Sequence, residues 1–324
     1  MLERIPRINY AIHPAYGGLF GRSSLITRAR ALCLFMPHFL NLAKKTARWH
    51  LARRRSSFVP AEHPEAQALY QRIVQHGAAT ICLDDEEKIE LRRFVAPYRA
   101  AVEERIRAIP PERRSFDQGI TAIPRKAEKQ FYAYLSSVLE RRHVFAVGRH
   151  YRNLPVALGD VVLQINEAGE RHWRDHFSDI GFSDPPTAYF HHDSTIKQLK
   201  CLLYLSEVTS ETGPFSYVLG SNRFRSGIVE YLARRANDRT KFDKCDREHR
   251  KLFWALPWMF RHKSEFGNDY LEGGAGAGAL LAAERRFLSR EADIIFFDTD
   301  GVHRGGMVES GKRCILQIRL RQMM

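Results

Sequence analysis

The sequence predicts an α+β protein: a double-sheet barrel of the jelly-roll kind, with an N-terminal helical scaffold before it and a long helical insertion within it. Three observations lead there. After Gly159 short strand-like runs follow one another, joined by glycine turns such as Thr212-Gly213-Pro214 and Leu219-Gly220-Ser221-Asn222. Before it, from His63 to Arg142, apolar residues recur mostly at helical spacing. Between about residues 223 and 290 lies a mostly helical stretch ending in GGAGAGA, too long to be an ordinary strand connection.

Taken in order, Pro64 to His76 has helical spacing and Gly77 ends it, after which Ala78 to Leu83 reads as a short strand. Asp84 or Asp85 caps a helix running to about Ile106, with Asp85, Glu86 and Glu87 in the turn that the dipole favours for acids. Pro124 to Arg142 predicts another helix, its apolar face made by Ala127, Phe131, Tyr134, Leu135 and Leu139. The predicted strands are Asp160 to Asn166, Thr187 to His192, Gln198 to Val208, Phe215 to Leu219, Ala292 to Asp298 and Arg313 to Leu320. Trp254, Trp258 and Phe260 in the insertion have two readings: cover for a substrate, or packing of the insertion onto the barrel.

The 324 residues carry a formal charge of +14, but residues 1–60 hold eleven Lys and Arg against Glu3 alone. The other 264 residues therefore carry only +4. The basicity belongs to an N-terminal extension, residues 1–56, and residues 57–324 are expected to form one domain with its insertion. A nucleic-acid enzyme spreads positive charge around its cleft, so nucleic acid is not the favoured partner. Leu25 to Ala43 is a basic flank followed by a mostly apolar run, too short to span a bilayer and interrupted by Pro37. It reads first as a helix packed on the body, then as an element for an anionic membrane surface or for targeting. Five scattered Cys without a C-x-x-C pair fit a reducing interior, cytoplasmic or peripheral at a membrane.

The chemistry concentrates in Thr187 to Ser194, TAYFHHDS. On an extended chain His191 and Asp193 project to one side and His192 to the other. A second imidazole, His303, follows the apolar run Ala292 to Phe297 inside DTDGVHRGG. Two His and one carboxylate leave the other face of a metal open, the arrangement of non-heme Fe(II) oxygenases. Arg313, ten residues on, offers the planar fork that a 2-oxo acid's distal carboxylate needs, with Arg319 as understudy on the same strand parity. His172 and His176 share a helical spacing but lack a third ligand. Asp298 and Asp300 either orient His303 from behind or simply form the turn.

The run FHHDS…KCLLYLSEVTSETGPFSYVLGSN, followed by DTDGVHRGGMVESGKR, resembles the phytanoyl-CoA dioxygenase family of Fe(II)/2-oxoglutarate oxygenases; LYQRIVQHGAATICLDDEEKIELRRFV is similar to that family's opening helix-strand-helix. The likeness covers roughly residues 63–222 and 291–320. It implies a double-stranded β-helix, the cupin-like barrel, with His191, Asp193 and His303 as iron ligands and Arg313 as the 2-oxoglutarate anchor. It also implies O2 as cosubstrate and succinate and CO2 as products. Position 192 is often an amide in the family and Asn222 is usually His, so neither is given a catalytic role. Halogenases of this kind replace the carboxylate by a small residue, so Asp193 argues for hydroxylation or another oxidation of a small organic or lipid-like substrate. The competing readings are a nucleic-acid demethylase of the same chemistry and a barrel without turnover that serves as a binding or scaffold protein.

Overall fold

The structure is a computed structural model, and it describes residues 23–55, 57–58, 63–110, 113–114, 116–168, 175, 186–193, 195–223, 227–240, 247–261, 275–289 and 293–323. Eight helices are seen there: α1 (Leu25–Arg55), α2 (Pro64–His76), α3 (Asp85–Arg107), α4 (Lys129–Arg141), α5 (Val144–Arg152), α6 (Ile228–Thr240), α7 (Arg247–Ala255) and α8 (Ala275–Ala282). The strands are β1 (Ala78–Ile81), β2 (Ile120–Ala122), β3 (Val156–Glu167), β4 (Leu199–Tyr204), β5 (Phe215–Val218), β6 (Glu284–Arg286), β7 (Ile294–Asp298), β8 (His303–Gly305) and β9 (Lys312–Gln322).

The strands form two antiparallel sheets, one ordered β1-β7-β4-β9-β3-β2 and the other β6-β5-β8. Alternation along the large sheet sorts its side chains into two cores. Cys201, Leu203, Ile294, Phe296, Leu316 and Ile318 pack outward with Leu69, Leu91, Phe131 and Val147 of the scaffold helices. Leu202, Tyr204, Ile295, Phe297 and Ile315 point the other way, to Phe215 and Tyr217 of the small sheet. The space between the sheets is where the site lies. Both faces of the central strands are covered, which is why they read as near-continuous apolar runs.

Most expected elements form, with boundaries shifted by local chemistry. Asp84 caps α3 by accepting from the Glu87 N–H at 2.8 Å, and the Glu87 side chain answers to the Asp84 N–H. The helix expected from Pro124 begins at Lys129, because the Pro124 carbonyl is taken by the N–H groups of Ala127 and Glu128 in a turn. Pro37 does not interrupt α1, which runs 31 residues through it. Pro37 and Cys33 both lie on the solvent side, where water can satisfy the carbonyl that the missing N–H releases.

The expected strand over Thr187 to His192 is not one. Pro186–Ala188 is a 3-10 turn and only His191 pairs, through a single bridge to His303. Pro186, with no N–H, cannot join a ladder. Helix α5 and the three-residue strands β2, β6 and β8 were not foreseen, being too short to show a period.

Helix α1 of the basic extension and helices α6 and α7 of the insertion pack on one another. Ala31, Phe35 and Leu42 of α1 bury against Leu232, Ala233 and Ala236 of α6 and Leu252 and Phe253 of α7. Phe260 stacks near Phe35 and Phe39, with ring centroids 5.1 and 5.3 Å away, and Trp254 borders the same core. These two rings therefore pack the insertion, whereas Trp258 is exposed. The far end of α1 reaches the large sheet, where the Trp49 indole N–H donates to Gln322 of β9 at 3.1 Å.

Gly77 closes α2 at φ 79°, its N–H bonded to the Ile73 carbonyl at 2.9 Å and its own carbonyl accepting from Asp298 at 2.8 Å. A Cβ there would collide with Tyr217 and Asn222. Gly77→Ala is expected to lower unfolding stability by about 2 kcal/mol or more, since strain and overpacking add; an unchanged urea midpoint would contradict this account of the joint.

Candidate metal centre

The short bridge between the two segments places the imidazoles side by side. The His191 N–H donates to the His303 carbonyl at 2.9 Å and the His303 N–H returns the bond at 3.1 Å. Each ring is then aimed by its own neighbourhood. Nδ1 of His191 donates to the Tyr189 carbonyl at 2.8 Å and Nδ1 of His303 to the Gly301 carbonyl at 2.9 Å, which leaves both Nε2 atoms as acceptors directed inward. Asp193 follows on the same side, its N–H bonded to the Thr299 carbonyl at 3.3 Å. His303 Nε2 lies 3.7 Å from Asp193 Oδ1, the two imidazole centroids are 4.4 Å apart, and the ligand atoms of all three residues lie within 4.8 Å of one another. Donor atoms at about 2 Å from a shared ion lie up to about 4 Å apart, so the 3.7 Å separation of His303 and Asp193 already suits one ion.

Electrostatics prepares the donors. Burial, with His303 close by, pulls His191 down to about 3 against the opposing pull of Asp193, so its ring is neutral. Burial acts to raise Asp193, yet Lys200, His303 and His191 together hold it well below the usual carboxylate range. Lys200 Nζ sits 2.5 Å from Asp193 Oδ2. Two neutral imidazoles and one carboxylate are the protonation states a divalent metal requires. The donor set and its aim thus fit a three-ligand metal site with an open side.

That open side faces a cavity of about 110 Å³ between the sheets. Lys200, Leu202 and Tyr204 of β4 line it together with Arg313, Ile315 and Gln317 of β9. Arg313 is buried opposite Asn166 in the β3–β9 ladder; its Nη2 donates to Asn166 Oδ1 at 3.0 Å and its Nη1 to the Gly306 carbonyl at 3.3 Å. Gln164 donates to the same Asn166 oxygen at 2.7 Å. The fork of Arg313 is thereby fixed in the cavity wall. Arg319 shares its parity but is exposed and lies outside the cavity lining.

The turn before His303 is held by charge rather than by contact with the ring. Asp298 pairs with Arg152 and accepts from the Tyr151 hydroxyl at 2.7 Å, both from α5. Asp300 pairs with Arg235 of α6 and lies 2.6 Å from Lys197 Nζ. Neither aspartate bonds to His303, so the reading of them as acceptors behind the imidazole gives way to one of turn anchors. His192 projects away, as parity predicts: its Nδ1 donates to the Asp300 carbonyl at 2.6 Å, and burial beside Arg234 and Arg235 keeps it neutral. Asn222 donates to the Ile73 carbonyl at 3.1 Å and to the Tyr151 hydroxyl at 3.1 Å, away from the cavity. His172 and His176 lie outside the described residues.

Sequence reasoning missed Lys200, Asn166 and Gln164. Lys200 was the visible one, a lone charge in the apolar run LKCLLYL. The amides carried no signal until β3 and β9 were paired. Another cluster of donor side chains among the described residues, His63, Glu65 and His143, lies at the surface at the starts of α2 and α5, where the helix dipoles oppose a cation.

No protein-family model and no curated protein matches the chain. Solved structures resemble it distantly. HygX from Streptomyces hygroscopicus, with nickel and 2-oxoglutarate bound, is 15% identical over 82% of this chain and 88% of its own, with a TM-score of 0.46. The non-heme alpha-ketoglutarate-dependent carbocyclase SnoK from nogalamycin biosynthesis is 14% identical over 82% and 86%, TM-score 0.44. AviO1 from Streptomyces viridochromogenes Tue57 is 11% identical over 82% and 97%, TM-score 0.43.

Cobalt(II) titration of the metal-free protein separates the neighbouring histidines. His191→Ala and His303→Ala are each expected to weaken binding about a hundredfold or more, at or beyond what outer-shell changes cost. His192→Ala should leave affinity within a few-fold and instead lower unfolding stability by about 1–3 kcal/mol. Loss of metal binding in His192→Ala with retention in His191→Ala would refute the assignment.

Proposed function

We propose that this chain is an Fe(II)- and 2-oxoglutarate-dependent dioxygenase that hydroxylates a small organic or lipid-like substrate with release of succinate and CO2. The fold that goes with this reading is the double-stranded β-helix, and the family is that of phytanoyl-CoA dioxygenase. The observation that carries it is the placing of Arg313 in the wall of the cavity onto which His191, Asp193 and His303 open. A metal-binding triad alone fits many activities; a buried guanidinium across the same small cavity adds a place for an anionic cosubstrate.

His191, Asp193 and His303 would hold the iron, which when bound supplies the activation of O2. Arg313 would take the distal carboxylate of 2-oxoglutarate, its plane set by Asn166 and the Gly306 carbonyl. Lys200 balances the Asp193 charge from β4. Leu202, Phe215, Phe297 and Ile315 keep the space apolar and exclude water. Tyr204 donates to the Phe287 carbonyl at 2.9 Å, and burial pushes its hydroxyl up to about 12 in spite of Arg313, so it stays protonated and structural. The intact donor set and Arg313 weigh against the scaffold reading. Against the demethylase reading stands the concentration of positive charge in the extension.

The test is succinate formation from 2-oxoglutarate by anaerobically purified protein given Fe(II) and then air. Turnover without added substrate is expected to be slow, to depend on iron and to vanish in His191→Ala. Arg313→Ala should raise the 2-oxoglutarate requirement by roughly a hundredfold, the worth of a charge-assisted fork. Absence of turnover together with absence of iron-dependent 2-oxoglutarate binding would reject the proposal.

A further inference from the structure

The packing of α1 uses only one side of it. Ala31, Phe35, Leu42, Thr46 and Trp49 are buried, and together they make the stripe that meets α6, α7 and the large sheet. On the opposite side the helix keeps large apolar residues in solvent: Ile26 is 81% exposed, Leu40 59% and Leu51 54%. Ile26, Cys33 and Leu40 recur every seven residues, as do Lys44 and Leu51, so all five share one outward stripe. Arg30, Lys45, Arg48, Arg54 and Arg55 flank it, also exposed. In its 31 residues α1 carries Arg28, Arg30, Lys44, Lys45, Arg48, Arg53, Arg54 and Arg55 and no acid at all.

A second exposed apolar group adjoins this helix. Trp258 is 74% exposed and Met259 45%, on the 3-10 turn Trp258–Phe260 whose last residue packs onto Phe35 and Phe39 of α1. That contact lies on the inner, buried side of α1, so the turn belongs to the packing of the insertion and not to the outward stripe.

We propose that the outer face of α1 is a docking face for an anionic lipid bilayer surface. Apolar side chains interleaved with cations and free of acids match a layer that offers acyl chains below and negative headgroups above. A nucleic acid would reward the cations but not the exposed Ile26, Leu40 and Leu51. The cations run along a helix roughly 46 Å long (1.5 Å per residue), which favours an extended flat partner over a single protein groove. With eight charges α1 cannot cross a bilayer and can only lie along one. Docking is independent of turnover, so it stands or falls apart from the oxygenase assignment.

The experiment is sedimentation of the full chain with vesicles of phosphatidylcholine alone or mixed with phosphatidylglycerol, over a salt series, beside single-stranded RNA as a rival ligand. Binding to the anionic vesicles that weakens with salt is expected. The Lys44→Gln/Lys45→Gln/Arg48→Gln variant should lose roughly a hundredfold in partition, about fivefold per cation. Leu40→Ser/Leu51→Ser should lose about tenfold through apolar contact alone. All five positions are exposed, so unchanged circular dichroism should accompany both losses. No preference for anionic over zwitterionic vesicles would overturn the proposal. So would RNA binding that falls in the charge variant while the leucine variant behaves as wild type on every ligand.

Discussion

The site depends on a turn that carries two buried negative charges. Asp298 and Asp300 lie two residues apart, nearly out of contact with water, and a carboxylate in that position is tolerable only when paired. The partners come from different parts of the chain: Arg152 and Tyr151 from α5, Arg235 from α6, and Lys197 from the loop before β4. The turn is therefore tied to both the scaffold and the insertion. His303 follows it directly, with its ring aimed by the Gly301 carbonyl within the turn, so the second imidazole is set in place by the turn as well as by its backbone pairing with Tyr217 and His191. Such pairs contribute little net stability, but removing one partner strands a buried charge at a cost of about 3–5 kcal/mol. Their consequence is specificity of arrangement.

The cavity continues the same logic with opposite sign. A cation, Lys200, sits against the carboxylate that would hold the metal, and a second, Arg313, sits in the opposing ladder with its donors already directed. A small space with apolar walls strengthens both interactions, since little solvent screens them. The His191 imidazole stays neutral for the same reason, burial being the largest influence on it. The three donor side chains and both cations thus face one small space between the sheets.

Much of this was legible in the sequence because it depends on parity and on chain ends. Gly77 as a left-handed stop, Asp84 as a cap, and His191 and Asp193 facing one way with His192 facing the other all follow from local rules. What was not legible depends on pairing across long separations. Asn166 supports Arg313 only because β3 and β9 run antiparallel in one register, and Asp298 meets Arg152 across 146 residues. The wrong strand at Thr187 to His192 has the same origin: its alternation is real, but one bridge to His303 is all that the surrounding backbone offers it.

The basic extension shows how two readings of one segment can both hold. Packing explains the inner stripe of α1 fully, since Phe35 and Leu42 bury in a core shared with α6 and α7. It explains nothing of the outer stripe, where cations and leucines stay in water, although a helix that only packs needs polar, mixed-charge residues there. The same α6 that receives α1 also supplies Arg235 to the turn before His303. One helix layer therefore joins α1 to the turn that precedes His303.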